Sequence, residues 1–178
     1  ERLSRHCHHA LISITHHPTP PSSDANTITA MISPEGEVVS FGGQVVQPSS
    51  MVEQWLVDVE KNMYRSMTRV IDEGLEKYKS MDRPTWCLQE AGQTVITVTQ
   101  MCWTADVDAA LQKAAGGEKD ALGKYHEQLV SDLNGIVEKV RGKLSKIERK
   151  VMGPLIVMDV HSRDVIGDMV KKNVAEPT

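Results

Sequence analysis

Aromatic residues are scarce: three Trp, three Tyr and one Phe among 178 residues. A core built from this chain must rest instead on Val, Leu, Ile and nine Met. Met is unbranched and fills irregular gaps, which suits helix packed on helix. No run of 18 apolar residues occurs, which argues against a helix that spans a bilayer. No long basic run occurs either, and the formal net charge is −4, so neither nucleic acid nor a membrane is expected as a partner. Paired CxxC and HxxxH spacings are missing. The three cysteines, Cys7, Cys87 and Cys102, are odd in number and far apart. That favours reduced thiols in a cytosolic setting over a disulfide framework. The first residue is Glu1 rather than Met, and the apolar stretch Ala10 to Ile14 is too short for a signal-peptide core. The chain therefore reads as a fragment or a partial gene product.

What is present divides along the chain. Residues 1–27 hold His6, His8, His9, His16 and His17, with Pro18, Pro20 and Pro21. Such a composition cannot bury a core, and the segment is expected to be irregular or disordered. Residues 28–41 read as a β-hairpin: Ile28, Ala30 and Ile32 alternate with polar neighbours, and Ser33-Pro34-Glu35-Gly36 is a turn signal. Ser50-Met51-Val52-Glu53 reads as a capping box opening a helix over about 50–81. Its stripe includes Val52, Trp55, Leu56, Val59, Met63 and Met67, and Arg83-Pro84 is expected to end it. Residues 85–115 are ambiguous. Thr94 to Thr99 is β-branched and strand-like by propensity, yet Val95, Val98, Cys102, Val107 and Leu111 share a helical face, and the reading leans to one helix over about 85–115. Gly116-Gly117 breaks that element. A helix over 118–151 follows from Leu122, Tyr125, Leu129, Leu133, Ile136, Val140, Leu144, Ile147 and Val151, whose spacing is that of a straight helix rather than a supercoil. Gly153-Pro154 is read as punctuation before a last buried helix over 154–173, with 175–178 a tail. The fold class is mainly α: long antiparallel helices, a bundle or rod, with one small β-hairpin.

Four constellations invite chemistry. His6-Cys7-His8-His9, with His16-His17 nearby, offers zinc-type donors, but adjacent ligands cannot all face one tetrahedral ion. Asp159-Val160-His161-Ser162-Arg163-Asp164 sets an imidazole among carboxylates, as in acid–base sites. On a helix, Asp159 with Arg163 and His161 with Asp164 are more simply ion pairs at spacings of four and three. Asp159, His161, Arg163 and Asp164 are therefore taken as ion-pair or docking positions, with no catalytic, cofactor-binding or metal residue. Gly117 to Gly123-Lys124-Tyr125 fails as a phosphate loop, because its gap is one residue too long and Tyr replaces Ser/Thr. Trp55, Trp86 and Trp103 are read as core anchors ahead of a ligand pocket, and Cys87 and Cys102 as small buried groups ahead of nucleophiles.

Five ordered blocks carry a family resemblance. They are Met31 to Val39, Val52-Glu53-Gln54-Trp55-Leu56, Arg83 to Trp86 with Gly92-Gln93 and Gln100 to Thr104, Val140 to Lys146, and Leu155 to Val165. Together they resemble the dynein heavy chain family over about Thr29 to Val174, and the last two blocks are similar to axonemal chains. The resemblance implies the C-terminal part of the helical linker that precedes the first AAA+ module, a force-transmitting lever in an ATP-driven, minus-end-directed microtubule motor. It implies no cofactor in this segment, with ATP and Mg²⁺ in the ring of the parent chain. It implies as partners the AAA+ ring and remaining linker, intermediate and light chains, and microtubules, at the cytoskeleton of a ciliary or flagellar axoneme. Residues 1–26 lie outside the resemblance. The other reading is a stand-alone helical interaction module without motor activity. A piece cut from a longer rod is also expected to self-associate through faces that the rest would cover.

Overall fold

The computed structural model describes residues 27–33 and 36–173. The N-terminal histidine cluster, Pro34-Glu35 and the last five residues lie outside them. Two strands and five helices follow one another: β1 (Ala30–Ile32), β2 (Val38–Ser40), α1 (Val52–Ser80), α2 (Arg83–Gln89), α3 (Gly92–Ala115), α4 (Ala121–Arg141) and α5 (Lys146–Lys171). The protein is mainly α-helical with one hairpin. It divides into two compact units, residues 1–73 and 74–178, so α1 belongs to the first through Glu73 and to the second from Gly74.

In the first unit β1 and β2 pair antiparallel, Ala30 with Ser40, Met31 with Val39 and Ile32 with Val38. Gly36 takes a left-handed φ of 94°, which a residue without Cβ adopts freely. An isolated bridge from Ile28 to Val46 adds a third extended segment. Two strands alone are marginal in water, and this pair leans on α1. Ile28, Phe41, Val46 and Val59 form the core, with Met31, Trp55 and Met63 packed against it. Arg69 Nη2 donates to the Ser40 carbonyl at 2.9 Å and its Nη1 to Glu73 at 3.0 Å, which ties the hairpin to the helix. The box expected at Ser50 and Glu53 is not the one formed. Ser49 Oγ instead accepts from the Met51 amide at 3.3 Å.

The second unit is a helical cluster in which α4 against α5 is the most extensive pairing, followed by α3 against α4. Three boundaries differ from the sequence reading. Residues 85–115 are two helices. Asp82 accepts from the Thr85 amide and Pro84 sits in the first turn of α2, where its missing N–H costs nothing. Helix α1 ends at Ser80, ahead of Arg83-Pro84 as expected, and the same proline also starts α2. The strand-like run from Thr94 to Thr99 is helical, because helix α3 buries Thr94, Val95, Val98 and Thr99 and burial outweighs local propensity. The single helix expected over 118–151 breaks at Gly142, which is extended, and restarts at Ser145, whose hydroxyl and Glu148 form a reciprocal capping box. Finally α5 runs straight through Pro154. The proline leaves the Lys150 carbonyl without its helical donor. Both residues are exposed, so water can serve the freed group. Burial of Val151, Met152 and Leu155 in the same turns offsets a proline cost of about 3 kcal/mol.

Gly74 and Gly167 mark close approach between one helix and another. A Cβ on Gly74 would stand 2.6 Å from Thr94 Cγ2, and one on Gly167 would stand 3.1 Å from His126 Nε2. Trp86 is fully buried. Its indole donates to the Gly74 carbonyl at 3.0 Å, and its ring meets Tyr78 edge-on at 4.9 Å. It is the anchor expected of it.

Candidate functional site

The most unusual chemistry in the described residues is an ion pair sunk into the helical unit. Arg83 is the first residue of α2, and Asp159 lies midway along α5. Arg83 Nη2 donates to Asp159 Oδ1 at 2.7 Å, with only 13% and 10% of the two side chains exposed. A cation at a helix N-terminus is disfavoured by the helix dipole, and burial works further against its charge. The Asp159 hydrogen bond and charge outweigh that burial and hold the Arg83 guanidinium firmly protonated. The pair joins residues 76 apart in sequence, clamping α2 to α5.

The pairing uses one bond of a fork that has more to give. Arg83 Nε and Asp159 Oδ2 are buried without a partner, as are Thr99 Oγ1 and Trp103 Nε1 from α3. All four residues line one small cavity of about 50 Å³, which Tyr78, Tyr125 and Asp132 line as well. Burial pushes the Tyr78 phenol up to about 12 and raises that of Tyr125 as well. Both stay neutral hydroxyls at physiological pH. Asp106, at the cavity's edge, has its carboxyl raised by burial and by the neighbouring Asp132.

The structure re-sorts the positions picked from the sequence. Asp159 pairs with Arg83 and not with Arg163, because it points into the cluster at 8% exposure. Arg163 turns to its neighbour Asp164, with Nε and Nη2 at 2.9 and 2.7 Å from Oδ1. That takes the carboxylate expected to meet His161, and His161 is exposed. The four positions do not converge on one centre. Cys87 is buried and its thiol is pushed up to about 12 by that burial, so it is a poor nucleophile. Cys102 is half-buried and raised for the same reason. Trp103 lines the cavity rather than the core. Arg83 and Tyr125 entered the sequence reading only as a helix boundary and a stripe position, and Thr99, Asp106 and Asp132 not as site residues at all, since the five meet only through tertiary packing. Among the described residues no group of His, Cys, Asp and Glu is arranged to hold a metal ion, and no helix is long and apolar enough to cross a membrane.

Comparison with known proteins gives this arrangement its context. The family described as "Dynein heavy chain, N-terminal region 2" matches residues 2–74. That span takes in residues 2–26, which the sequence reading had set apart. Human dynein axonemal heavy chain 12 is 40% identical over 153 residues, 85% of this chain and 5% of the human protein. Mouse dynein axonemal heavy chain 1 is 40% identical over 147 residues, 83% of this chain and 3% of its own length. Mouse dynein axonemal heavy chain 3 is 41% identical over 149 residues, 83% of this chain and 4% of its own. The chain thus spans only a few hundredths of the relatives it matches. With about two-fifths identity over 85% of its length, the chain belongs to the dynein heavy chain family, as part of the N-terminal region of a chain of the axonemal kind.

Proposed function

We propose that this segment is part of the linker of a dynein heavy chain, a lever that carries force within an ATP-driven, minus-end-directed microtubule motor. ATP and Mg²⁺ would be handled by an AAA+ ring in other parts of the heavy chain, and the segment itself would do no catalysis. Its partners would be that ring, the remaining linker and, through the whole complex, intermediate chains, light chains and microtubules of an axoneme. The observation that carries this reading is the 40% identity to an axonemal heavy chain across 85% of the sequence. Physical features support it. A lever needs stiffness, and helices of 29, 24 and 26 residues supply it, each about 1.5 Å per residue in length. The buried Arg83–Asp159 clamp adds a directional lock between two of the helical elements, which apolar packing alone does not provide.

The test uses a complete axonemal heavy chain that contains this segment. Asp159→Asn should leave ATP turnover in place while microtubule gliding slows, because force is lost between ring and track. Undiminished gliding by a variant shown to have lost the clamp would sink the lever reading.

A further inference from the structure

Three of the chain's seven aromatic rings meet at one cavity in the helical unit. Tyr78, Trp103 and Tyr125 line it together with Asp106, Asp132 and Asp159. Arg83 is the one cation of the lining, and Asp159 already engages it at 2.7 Å. Two carboxylates are therefore in excess. Asp132 accepts from the neutral Gln128 amide at 2.8 Å. Asp106 has no ion-pair partner among the described residues, and Lys113 on its own helix acts on it only through space, too weakly to reverse the upward push of burial and Asp132. Deeper in, Thr99 is 4% exposed with its hydroxyl unpartnered, and Asp159 Oδ2 is likewise free of a donor. Carboxylates attract a cation through charge, and aromatic rings beside them add to that attraction where a ring face is presented.

Size and surroundings narrow the cation. The cavity holds about 50 Å³, room for an ammonium head and roughly one water at about 30 Å³ of liquid volume. That water has a role, since Arg83 Nε–H and Trp103 Nε1–H need an acceptor that an ammonium cannot be. Next to the cavity runs a larger groove between α3 and α4, of about 370 Å³, which shares Asp106, Tyr125 and Gln128 with it. The groove is floored by Ala109, Ala110 and Ala121, small side chains that let a backbone come close. Of its charges, Lys124 pairs with Glu118 at 2.7 Å, and Lys113 acts on Asp106 through space.

We propose that the cavity receives the ammonium head of a lysine side chain, carried by a protein segment that lies in the α3–α4 groove. The segment belongs to the heavy chain outside these residues, of which the matched relatives have a great deal, since this chain covers 5% or less of each. The inference does not depend on the lever reading, because it rests on the cavity, the adjoining groove and the small share of its relatives that this chain spans.

The experiment follows the indole N–H resonances of the ¹⁵N-labelled 178-residue chain by NMR. Trp103 reports on the cavity, and Trp86, held by the Gly74 carbonyl at 3.0 Å, reports on the fold. N-acetyl-lysine-methylamide and methylammonium should each move the Trp103 signal to saturation, with Trp86 still. Sodium chloride at matched ionic strength should give only a small linear drift. The double variant Asp106→Asn, Asp132→Asn should lose the saturable shift while keeping the Trp86 signal in place. The proposal is overturned if lysine and sodium act alike, if saturation survives in the double variant, or if methylammonium binds and the capped lysine does not. The last outcome would mark a cavity too closed for a side chain. Loss of the Trp86 signal in the double variant would call for the single Asp106→Asn variant, judged by the same shift.

Discussion

Residues 27–73 bury four apolar side chains in their core, Ile28, Phe41, Val46 and Val59, whereas residues 74–173 bury fourteen. Exposure runs the other way. Of the eleven large apolar side chains exposed among the described residues, seven fall in the first unit, including Met51, Val52, Leu56 and Tyr64. The polar contacts differ in kind as well. The hairpin is tied down by Arg69, a half-exposed side chain whose salt bridge to Glu73 is open to solvent and so worth at most about 1 kcal/mol. The helical unit is tied by Arg83 and Asp159, nearly out of water. One unit holds its own shape. In the other, among the described residues, 27–73 supply little interior by comparison.

The sharpest way to break that comparison is to separate the units. Residues 74–173 made alone should melt cooperatively by circular dichroism. Residues 27–73 made alone should give a broad, sloping curve without a transition, since each fully buried apolar side chain contributes only about 1.5–3 kcal/mol against an ordering cost of about 1–2 kcal/mol for every residue fixed. A cooperative melt from the smaller piece would contradict the contrast drawn from the two cores.

Next in size is the clamp. Asp159→Asn leaves a buried guanidinium unpaired and should cost about 3–5 kcal/mol in urea unfolding of the helical unit. Replacing both partners, Arg83→Met with Asp159→Leu, should recover most of the loss. A double variant as unstable as the single would mean that the charge pair itself, and not the unpaired charge, holds the elements together.

A smaller effect belongs to Gly74. Ala favours a helix over Gly by about 1 kcal/mol, so a free-standing helix would gain from Gly74→Ala. Here the new methyl would meet Thr94 Cγ2 at 2.6 Å, and overpacking costs about 1–3 kcal/mol. The expected net is a loss in melting temperature, accompanied by a shifted Trp86 indole signal because that indole bonds to the Gly74 carbonyl. Adding Thr94→Ser should restore it by removing the methyl in the way.

How much of this was readable from the residues follows the range of the interactions. Features set within a few positions were legible: the hairpin, the helix of residues 52–80, and Trp86 as an anchor. Two local signals carried more than was taken from them. Asp82-Arg83-Pro84 opens a helix, since an N-cap carboxylate and an early proline are both starting features. Ser145-Lys146-Ile147-Glu148 spells a capping box, concealed by an apolar spacing that runs on past it. The stripe continued in sequence while the chain broke, and Ile147 ended 44% exposed. The Arg83–Asp159 pair lies beyond any local pattern. Nothing near Asp159 says that its partner stands 76 residues away rather than four, and the aromatic lining of the cavity comes from three different helices.

The smallest expected effect concerns Asp106, and its sign is informative. Burial and Asp132 hold its carboxyl above the ordinary range. The folded state therefore keeps this proton at pH values where the unfolded chain, with a carboxyl near about 3.9, has already released it. Stability from this group is fully present below that value and is lost as pH rises through the higher folded value. Asp82 and Glu148 run in the opposite direction, because hydrogen bonds from Thr85 and Ser145 hold their carboxyls low, and acid weakens what they contribute. A raw melting curve against pH mixes the two. The difference between the wild type and Asp106→Asn isolates the first. The variant should melt slightly higher near neutrality, and the gap should close as pH falls below about 4. A gap that widened in acid would mean that Asp106 has a counter-charge in the folded chain, and the excess of carboxylate at the cavity would no longer stand.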